Sequence, residues 1–297
     1  MAHTHEHHHR NYTLNRVFIF CILLNSIYVV TEATVGILYD SLGLLSDAGH
    51  NLSDVFSLLL ALIAIRMSGL KANKHFTYGY KKSTILVSLL NAIILLVAVG
   101  AIILECFYKL KNPSIISGEA ISWTAGIGIL INGLTAWLLN RDNKHDLNVR
   151  GAYLHMLMDT LVSVGVVISG IIIAYTHLYI IDAIISLFIV VIIFISTFRL
   201  LKESIYLSLD AVPSSVSIKE IENGLSDIEE VKSWHHLHIW AISTTENAAT
   251  LHIVLNNLSD YETGKQKVKL LFADKGVRHC TVECELPDVD CKDKIHL

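Results

Sequence analysis

Six long apolar segments occupy most of the first 205 residues, and they constrain the fold more than any other feature of the sequence. At a rise of about 1.5 Å per residue, each segment is long enough to cross a hydrocarbon core of about 30 Å as a helix. All three prolines lie outside these segments, as uninterrupted helices require. We therefore predict six transmembrane helices, within residues 17–38, 42–65, 85–107, 121–139, 152–175 and 180–198.

The composition argues against several other classes of protein. Charged residues make up 17% of the chain, whereas a soluble domain carries about a quarter. The five cysteines are an odd number without a CxxC spacing, so they indicate neither a disulfide framework nor a zinc finger. A soluble enzyme, a secreted disulfide-rich protein and a nucleic-acid binder are therefore not expected.

The basic residues that flank the apolar segments predict the orientation. Twelve Lys and Arg residues lie on one side, and only Lys109 and Lys111 lie on the other. The first segment contains Glu32 and runs into the second after three residues, so we do not expect it to be a cleaved signal peptide. We predict a multi-pass integral membrane protein whose N- and C-termini are cytoplasmic.

The chain is predicted to have three regions. Residues 1–13 form a His-rich cytoplasmic segment, residues 14–205 the six-helix transmembrane domain, and residues 206–297 a small cytoplasmic domain. Helical and alternating patterns in the last region indicate the order α-β-β-α-β, an open α+β fold. This region carries nine basic and fifteen acidic residues, a balance that favours cations over anionic lipid or nucleic acid.

Ionisable residues inside the predicted membrane helices are the strongest functional signal, because they are costly in a bilayer. The second segment contains His50 and Asp54, and the fifth contains His155 and Asp159, both in the pattern HxxxD. Residues four apart share one face of a helix, so each helix presents one imidazole and one carboxylate. If the two faces meet, their four atoms suit tetrahedral Zn²⁺. The alternative is a structural role, in which each pair only holds the helices together.

A site of this kind predicts the exchange of metal for protons. An imidazole, with a reference pKa near 6.5, binds either a proton or a metal ion. A rocking of helices around a site near the middle of the membrane would expose it to each side in turn. Four protein ligands leave no open position for a hydrolytic water, so we expect no enzymatic activity.

Together with the run SLGLLSDAGH at residues 41–50 and the sequence His-Ile-Trp at residues 238–240, these motifs resemble those of the cation diffusion facilitators. The resemblance covers nearly the whole chain. It implies a homodimer, of the bacterial inner membrane, that exports divalent metal from the cytosol in exchange for protons. Within that family, two His and two Asp imply a preference for zinc. The resemblance places the transported Zn²⁺ at His50, Asp54, His155 and Asp159.

The resemblance also implies a zinc site in the cytoplasmic domain, with a structural or regulatory role. Its best-placed ligands are His235, His252 and Glu285. The fourth ligand is open, since a family His aligns better with Arg278 than with His279, and thiolates are good zinc ligands. The thiols that could replace it belong to Cys280, Cys284 and Cys291. A pair of ordinary half-buried strands is the alternative interpretation.

The alternation of side chains along a strand gives one further expectation for this region. His236 and His238 should share one face of their strand, and His235 should point to the other.

Three acidic residues of the predicted membrane helices are weaker candidates. Asp47 shares a helical face with His50 and Asp54, and it is either a partner of the metal ligands, part of the cation path or a structural residue. Glu32 and Asp182 have no His companion, so they are predicted to be packing or path residues.

Outside the membrane segments, His75 resembles the position of an accessory zinc site in some family members, but the second His of that site is missing here. Lys82 and Asp210 resemble a pair that locks the two subunits together, and an ordinary surface pair is the alternative. The N-terminal tract is expected to bind metal weakly at best. Its histidines are His3, His5, His7, His8 and His9.

Three other functions compete with zinc export. The substrate could be Cd²⁺, Co²⁺, Fe²⁺ or Mn²⁺ instead. The chain could be a membrane-anchored metal sensor, in which case Asp54 and Asp159 would not be needed for zinc tolerance. An intramembrane zinc hydrolase is a further class, but the sequence has no HExxH motif.

Overall fold

The computed structural model describes residues 4–38, 42–111, 119–141, 143–144, 146–176 and 180–287. The chain divides into two compact units, Met1–Ser204 and Ile205–Leu297.

The first unit is built from long helices, and each of the six apolar segments lies within one of them, as predicted. Among the described residues, two stretches are long and apolar enough to cross a bilayer, Asn15–Val35 and Ser83–Ala101, and Gly126–Leu139 is a shorter one. The number of membrane crossings therefore stays a prediction. The helices are α1 (Thr4–Leu38), α2 (Leu42–Ser68), α3 (Ser83–Lys111), α4 (Glu119–Leu139), α5 (Leu147–Thr176) and α6 (Ile180–Ser208).

Local sequence sets several of these helix ends. Asp146 begins α5, because its side chain accepts a hydrogen bond from the backbone N–H of Asn148 at 2.8 Å. The loop between α2 and α3 turns at Gly79, whose φ is 71° and where a Cβ would lie 2.8 Å from the carbonyl oxygen of Leu70. Only glycine fits both conditions. α6 ends at Ser208, and Asp210, two residues later, is in the left-handed region with a φ of 57°, a conformation that Asp tolerates.

A shared core joins α1, α2, α4 and α5. Phe18 on α1, Leu58 on α2, Leu139 on α4 and Met156 on α5 are buried in one hydrophobic cluster. Polar contacts reinforce this packing, because Asn25 donates a hydrogen bond of 3.0 Å to the Thr135 hydroxyl and so links α1 to α4. Two glycines of α4 allow close approach, since Gly128 faces Tyr28 of α1 and Gly133 faces Thr160 of α5. α2 and α5, which carry the HxxxD motifs, therefore pack together with α1 and α4.

The second unit contains a three-stranded sheet in the order β1-β2-β3. β1 pairs with β2 in the antiparallel direction, and β2 pairs with β3 in the parallel direction. A parallel pair needs a crossover, which α8 supplies. The elements follow the predicted order α-β-β-α-β, with a 3-10 turn before α8. They are α7 (Ile218–Ser226), β1 (Val231–Ala241), β2 (Asn247–Leu255), α8 (Tyr261–Asp274) and β3 (His279–Glu285).

The sheet has one face on the core and one face away from it. Leu251 and Ile253 of β2 are buried with Phe272 of α8, whereas His252 between them is only half-buried. In the register of the parallel pair, His252 lies opposite Glu283. The His and Glu residues of β2 and β3 therefore lie on the face away from the helices.

Candidate metal centres

The first cluster joins α2 to α5 in the helical unit. The Nε2 atom of His155 lies 2.5 Å from Oδ1 of Asp54 and 3.9 Å from Oδ2 of Asp159. One ligand atom of each residue lies within 4.8 Å of the others. Asp54 is 0% exposed, His155 2% and Asp159 8%. The structure thus brings together three of the four side chains predicted to hold the transported metal.

The fourth predicted ligand, His50, lies on α2, which is helical through both His50 and Asp54. The spacing of four residues places His50 one turn before Asp54. The side chains of His50 and of Asp47 fall outside the described residues, and so does that of Asp182.

Sequence reasoning missed Ser57, which is a neighbour of His155. Its hydroxyl oxygen lies 3.5 Å from Nδ1 of His155, and the side chain is buried. A group on Nδ1 influences which ring nitrogen carries the proton and how the ring is oriented. The signal was present in the spacing, because Ser57 follows Asp54 by three residues and shares its helical face.

A buried carboxylate, Glu32, lies on α1 beside this region. Its Oε2 accepts a hydrogen bond of 2.7 Å from the amide of Asn51, and its Oε1 accepts one of 3.2 Å from the Tyr28 hydroxyl. Glu32 is 2% exposed. No described group of three metal-ligating side chains includes Glu32, and its packing or path role stays a prediction. Asn51 therefore links α1 to the HxxxD segment of α2.

The arrangement on α2 and α5 has groups that bind either a proton or a divalent cation. Two carboxylates and an imidazole lie together in a buried place, where a charge is stable only when it is paired. A proton on His155 pairs with the Asp54 carboxylate at the observed distance, and a divalent cation can replace that proton. Carboxylate and imidazole are both good zinc ligands.

The second cluster lies on the sheet of the other unit, and Glu285 is at its centre. One carboxylate oxygen of Glu285 lies 2.8 Å from Nδ1 of His252, and the other lies 3.4 Å from Nε2 of His235. The three side chains place ligand atoms within 4.8 Å of one another, and all three are half-buried. Glu283 lies 3.5 Å from the other nitrogen of His252, but its side chain is 64% exposed. The structure brings together the three predicted ligands of the cytoplasmic site.

The expected alternation along β1 is wrong at this point. The pairing with β2 shifts register between His235 and His238, and His236 has a φ of 51°. This bulge interrupts the two-residue period of the strand. The rings of His235 and His236 consequently both lie near His252, and His238 is exposed.

The structure does not support Cys280 or Cys284 as a replacement for the fourth ligand. Cys280 and Cys284 pack against the hydrophobic core, on the opposite face of the sheet from His252. Burial raises the pKa of the Cys280 thiol to about 11, so this thiol stays protonated near neutral pH. Burial also raises the pKa of Cys284. Cys291 lies outside the described residues.

The weak candidate His279 is at the start of β3, opposite Ala248. It precedes Glu283 by four residues, which is about 13 Å along a strand. His279 is not in the group formed by His235, His252 and Glu285.

The remaining candidates do not join either cluster. His75 is exposed in the loop before α3, where its backbone N–H bonds to Asn73, and no described metal-ligating group includes it. Lys82 belongs to the first unit and Asp210 to the second, so their pairing stays a prediction. His3 and the side chains of the other N-terminal histidines fall outside the described residues.

Comparison with known proteins identifies the two units. Residues 18–207 match the family of cation efflux transmembrane domains, and residues 213–285 match the cytoplasmic domain of cation efflux proteins. The two matches follow one another along the chain, as the two compact units do.

The chain is also similar to three bacterial transporters over almost its whole length. A cadmium, cobalt and zinc/H(+)-K(+) antiporter of Bacillus velezensis is 33% identical over 95% of this chain and 91% of the relative. The zinc transporter ZitB of Pectobacterium atrosepticum is 32% identical, with shares of 98% and 91%. The metal cation efflux system protein CzcD of Cupriavidus metallidurans is 33% identical, with shares of 98% and 92%. The chain therefore belongs to the cation diffusion facilitators, the family of membrane proteins that export metal cations.

Proposed function

We propose that this protein is an antiporter that exports Zn²⁺ from the cytosol in exchange for protons. The transported ion binds between α2 and α5, at His50, Asp54, His155 and Asp159. The observation that carries the proposal is the contact between His155 and Asp54, in which two buried ionisable groups from distant parts of the chain meet. A membrane domain has little other reason to keep such groups together.

Competition for the imidazole nitrogens couples the two fluxes. When the site faces the cytosol, neutral imidazoles accept Zn²⁺, and the carboxylates of Asp54 and Asp159 balance its charge. When the site faces the other side, protons bind the same nitrogens and displace the ion. Each half-cycle leaves the buried site with compensated charge, because neither the filled nor the protonated state isolates the carboxylates.

We further propose six membrane crossings, with both termini cytoplasmic, in the bacterial inner membrane. The six apolar helices and the excess of basic residues on one side support this topology. A rocking of helices about the site would give alternating access. The protein works as a homodimer, in which Lys82 and Asp210 contribute to the contact between subunits.

In the cytoplasmic domain, we propose that a second Zn²⁺ binds His235, His252 and Glu285. Support comes from the carboxylate of Glu285, which already contacts both imidazoles, so that the ligands need little rearrangement. Metal at this place strengthens the dimer when cytosolic zinc rises. The site is regulatory, and the protein has no enzymatic activity.

One observation favours a broader choice of substrate. The relative from Bacillus velezensis is named as an antiporter of cadmium and cobalt as well as zinc. His and Asp ligands accept Co²⁺ and Cd²⁺ in similar geometries, so selectivity depends on how rigidly the site is held. Competition of Cd²⁺ and Co²⁺ with zinc uptake measures this choice directly.

Zinc uptake into proteoliposomes with an imposed pH gradient tests the proposal. Asp54→Asn should abolish uptake, because it removes a ligand charge at nearly constant volume. Asp146→Asn is the matched control, since Asn caps a helix as well as Asp does, and uptake should stay within about twofold. Zinc uptake that does not depend on the pH gradient would overturn the proposed coupling to protons. Normal uptake by the Asp54 variant would overturn the site.

A further inference from the structure

Three histidine rings meet on the outer face of the sheet in the cytoplasmic domain. The ring centroids of His235 and His236 are 5.1 Å apart, those of His235 and His252 are 5.2 Å apart, and those of His236 and His252 are 5.1 Å apart. The three rings form a nearly equilateral triangle. Their planes are inclined to one another by 51° to 67°, so they are not stacked.

This triangle has the size expected for three imidazoles around one tetrahedral ion. Zinc–nitrogen bonds are about 2.0–2.1 Å long, and a ring centroid lies about 1.1 Å behind its nitrogen. At the tetrahedral angle, two such centroids are then about 5.2 Å apart. Each of the three observed distances agrees with this value. The ligand atoms that already lie within 4.8 Å of one another belong to His235, His252 and Glu285, so the His236 ring must turn to bring a nitrogen to the same ion.

The backbone of β1 is distorted where it brings the third ring to this place. His236 has a φ of 51°, in the left-handed region, which only a few per cent of non-glycine residues occupy. The distortion lies between two regular stretches of pairing with β2. Such bulges redirect a side chain, and here two successive histidines come to lie on one side of the strand.

The polar atoms around the triangle also indicate a ligand. Nε2 of His235 is shielded from solvent and makes no hydrogen bond with any described residue. Its nearest anionic atom is an oxygen of Glu285, at 3.4 Å. A buried nitrogen of this kind is normally satisfied, so it marks a place where a bound ion would complete the contacts.

From this geometry we infer that His236 is the fourth ligand of the cytoplasmic zinc site, which would hold Zn²⁺ with three imidazoles and the carboxylate of Glu285. The inference rests on the zinc site proposed above and adds to it a ligand that the strand pattern excluded. All four ligands come from β1, β2 and β3 of one chain, so the coordination is complete without a residue from a second subunit.

Glu283 is the competing fourth ligand, because it lies 3.5 Å from Nε2 of His252. Its side chain is 64% exposed and must lose hydration on binding, whereas His236 is half-buried beside the other two rings. The two possibilities differ in the number of imidazoles that bind the metal, which is three with His236 as the fourth ligand and two with Glu283.

The experiment uses the full-length protein in detergent, with the transport site inactivated by Asp54→Asn and Asp159→Asn. Zinc affinity is measured by competition with a chromophoric chelator, and the imidazole count by X-ray absorption of the zinc-loaded protein. His236→Asn removes the ring and keeps a residue that tolerates a positive φ. His238→Asn is the matched control, an exposed histidine two residues along the same strand.

We expect the parent protein to bind zinc in this domain with three imidazoles. His236→Asn should weaken binding by more than about tenfold and lower the count to two, since even indirect supports of a metal site affect affinity by 10- to 100-fold. His238→Asn and Glu283→Gln should change affinity by less than about twofold. If His236→Asn folds poorly, His236→Gly serves instead, because glycine adopts the same φ without strain.

The outcomes separate the two proposals. If the parent binds no zinc in the cytoplasmic domain, both the site and the role of His236 are wrong. If the parent binds zinc with two imidazoles, or if His236→Asn and His236→Gly keep full affinity, only the role of His236 is wrong. A loss of affinity in Glu283→Gln that His236→Asn does not share would assign the fourth position to Glu283.

Discussion

Nε2 of His155 lies 2.5 Å from Oδ1 of Asp54, so one contact joins α5 to α2 across 101 positions of sequence. The pair is almost fully shielded from solvent. A proton shared between the two side chains satisfies both, and so does a cation. In the proposed mechanism, the energetic balance between these two states decides when the site releases its ion.

Zinc affinity at this site should therefore fall as the pH falls. Each imidazole that must lose a proton to bind zinc costs about tenfold in affinity for every pH unit below its pKa, near 6.5 for an unperturbed His. With His50 and His155 both as ligands, the loss approaches about 100-fold per pH unit at low pH. Zinc binding between pH 5 and pH 8, in a variant lacking the cytoplasmic ligands, measures the slope. A flat profile would contradict imidazole coordination.

Ser57→Ala should weaken zinc binding at the transport site without abolishing it. Ser57 contacts Nδ1 of His155, and a hydrogen bond of this kind contributes about 0.5–1.5 kcal/mol, which is roughly 2- to 10-fold in affinity. Ser88→Ala is the matched control, because Ser88 is also a buried serine but its hydroxyl bonds to Ser204 and not to His155. Equal losses in the two variants would show that the Ser57 effect is only structural.

Asn51 and Glu32 should show an energetic coupling. Asn51→Leu removes the 2.7 Å donor of a buried carboxylate, which costs about 1–3 kcal/mol of stability. Glu32→Gln in the Asn51→Leu background should recover part of this cost, because a neutral amide is cheaper to bury than a carboxylate. The coupling is measured by a double-mutant cycle. The cycle compares the thermal unfolding, in detergent, of the parent, both single variants and the double variant. Strictly additive effects would contradict a direct interaction.

Gly128→Ala should destabilise the protein, whereas Gly126→Ala on the same helix should not. A Cβ at Gly128 would lie 2.9 Å from the Tyr28 hydroxyl, and a Cβ at Gly126 meets no described atom within 4 Å. We expect a loss of about 1–3 kcal/mol at Gly128 from overpacking, and a gain of about 0.5–1 kcal/mol at Gly126 from helix propensity. Tyr28→Phe should relieve the Gly128 effect, and its failure to do so would locate the clash elsewhere.

Cys280 should react slowly with thiol reagents at neutral pH. Its pKa of about 11 leaves only about one thiolate in 10⁴ at pH 7, and this fraction rises tenfold per pH unit until the pKa is approached. The thiolate fraction is measured by the rate of alkylation in a variant that has Cys280 as its only cysteine. Saturation with zinc should leave the rate unchanged, since the thiol faces the core and not the histidines. Protection by zinc would restore Cys280 as a ligand.

The helices and their order could be predicted because their signals are local. The segment at residues 85–107 is predominantly apolar, and α3 covers all of it. In the cytoplasmic domain, the alternation of polar and apolar residues at 250–255 located β2. The HxxxD spacing likewise placed His155 and Asp159 on one face of α5, because helical periodicity determines the face on which each residue lies. That this face meets Asp54 of α2 was only a condition of the prediction, and the structure supplies it.

The contacts that depend on tertiary structure could not be predicted in this way. The bulge at His236 has no local sequence signal, since its φ arises from how β1 pairs with β2 on either side of it. Ser57 gave only a weak signal, because a serine in a membrane helix more often bonds to its own backbone. The orientation of Cys280 depends on the register of β3 against β2, which is a long-range pairing.

The hydrogen bonds of the first unit have a consequence for motion. α1 is tied to α4 through Asn25 and to α2 through Asn51, α2 is tied to α5 through Asp54, and α5 packs against α4. These links close a circuit of four helices, so no member of the circuit can tilt alone without breaking a buried polar contact. Either the circuit travels as one block, or the Asp54 link is the one that opens. If the transported ion binds at that link, as we propose, each ion that arrives or leaves would make or break the contact that closes the circuit.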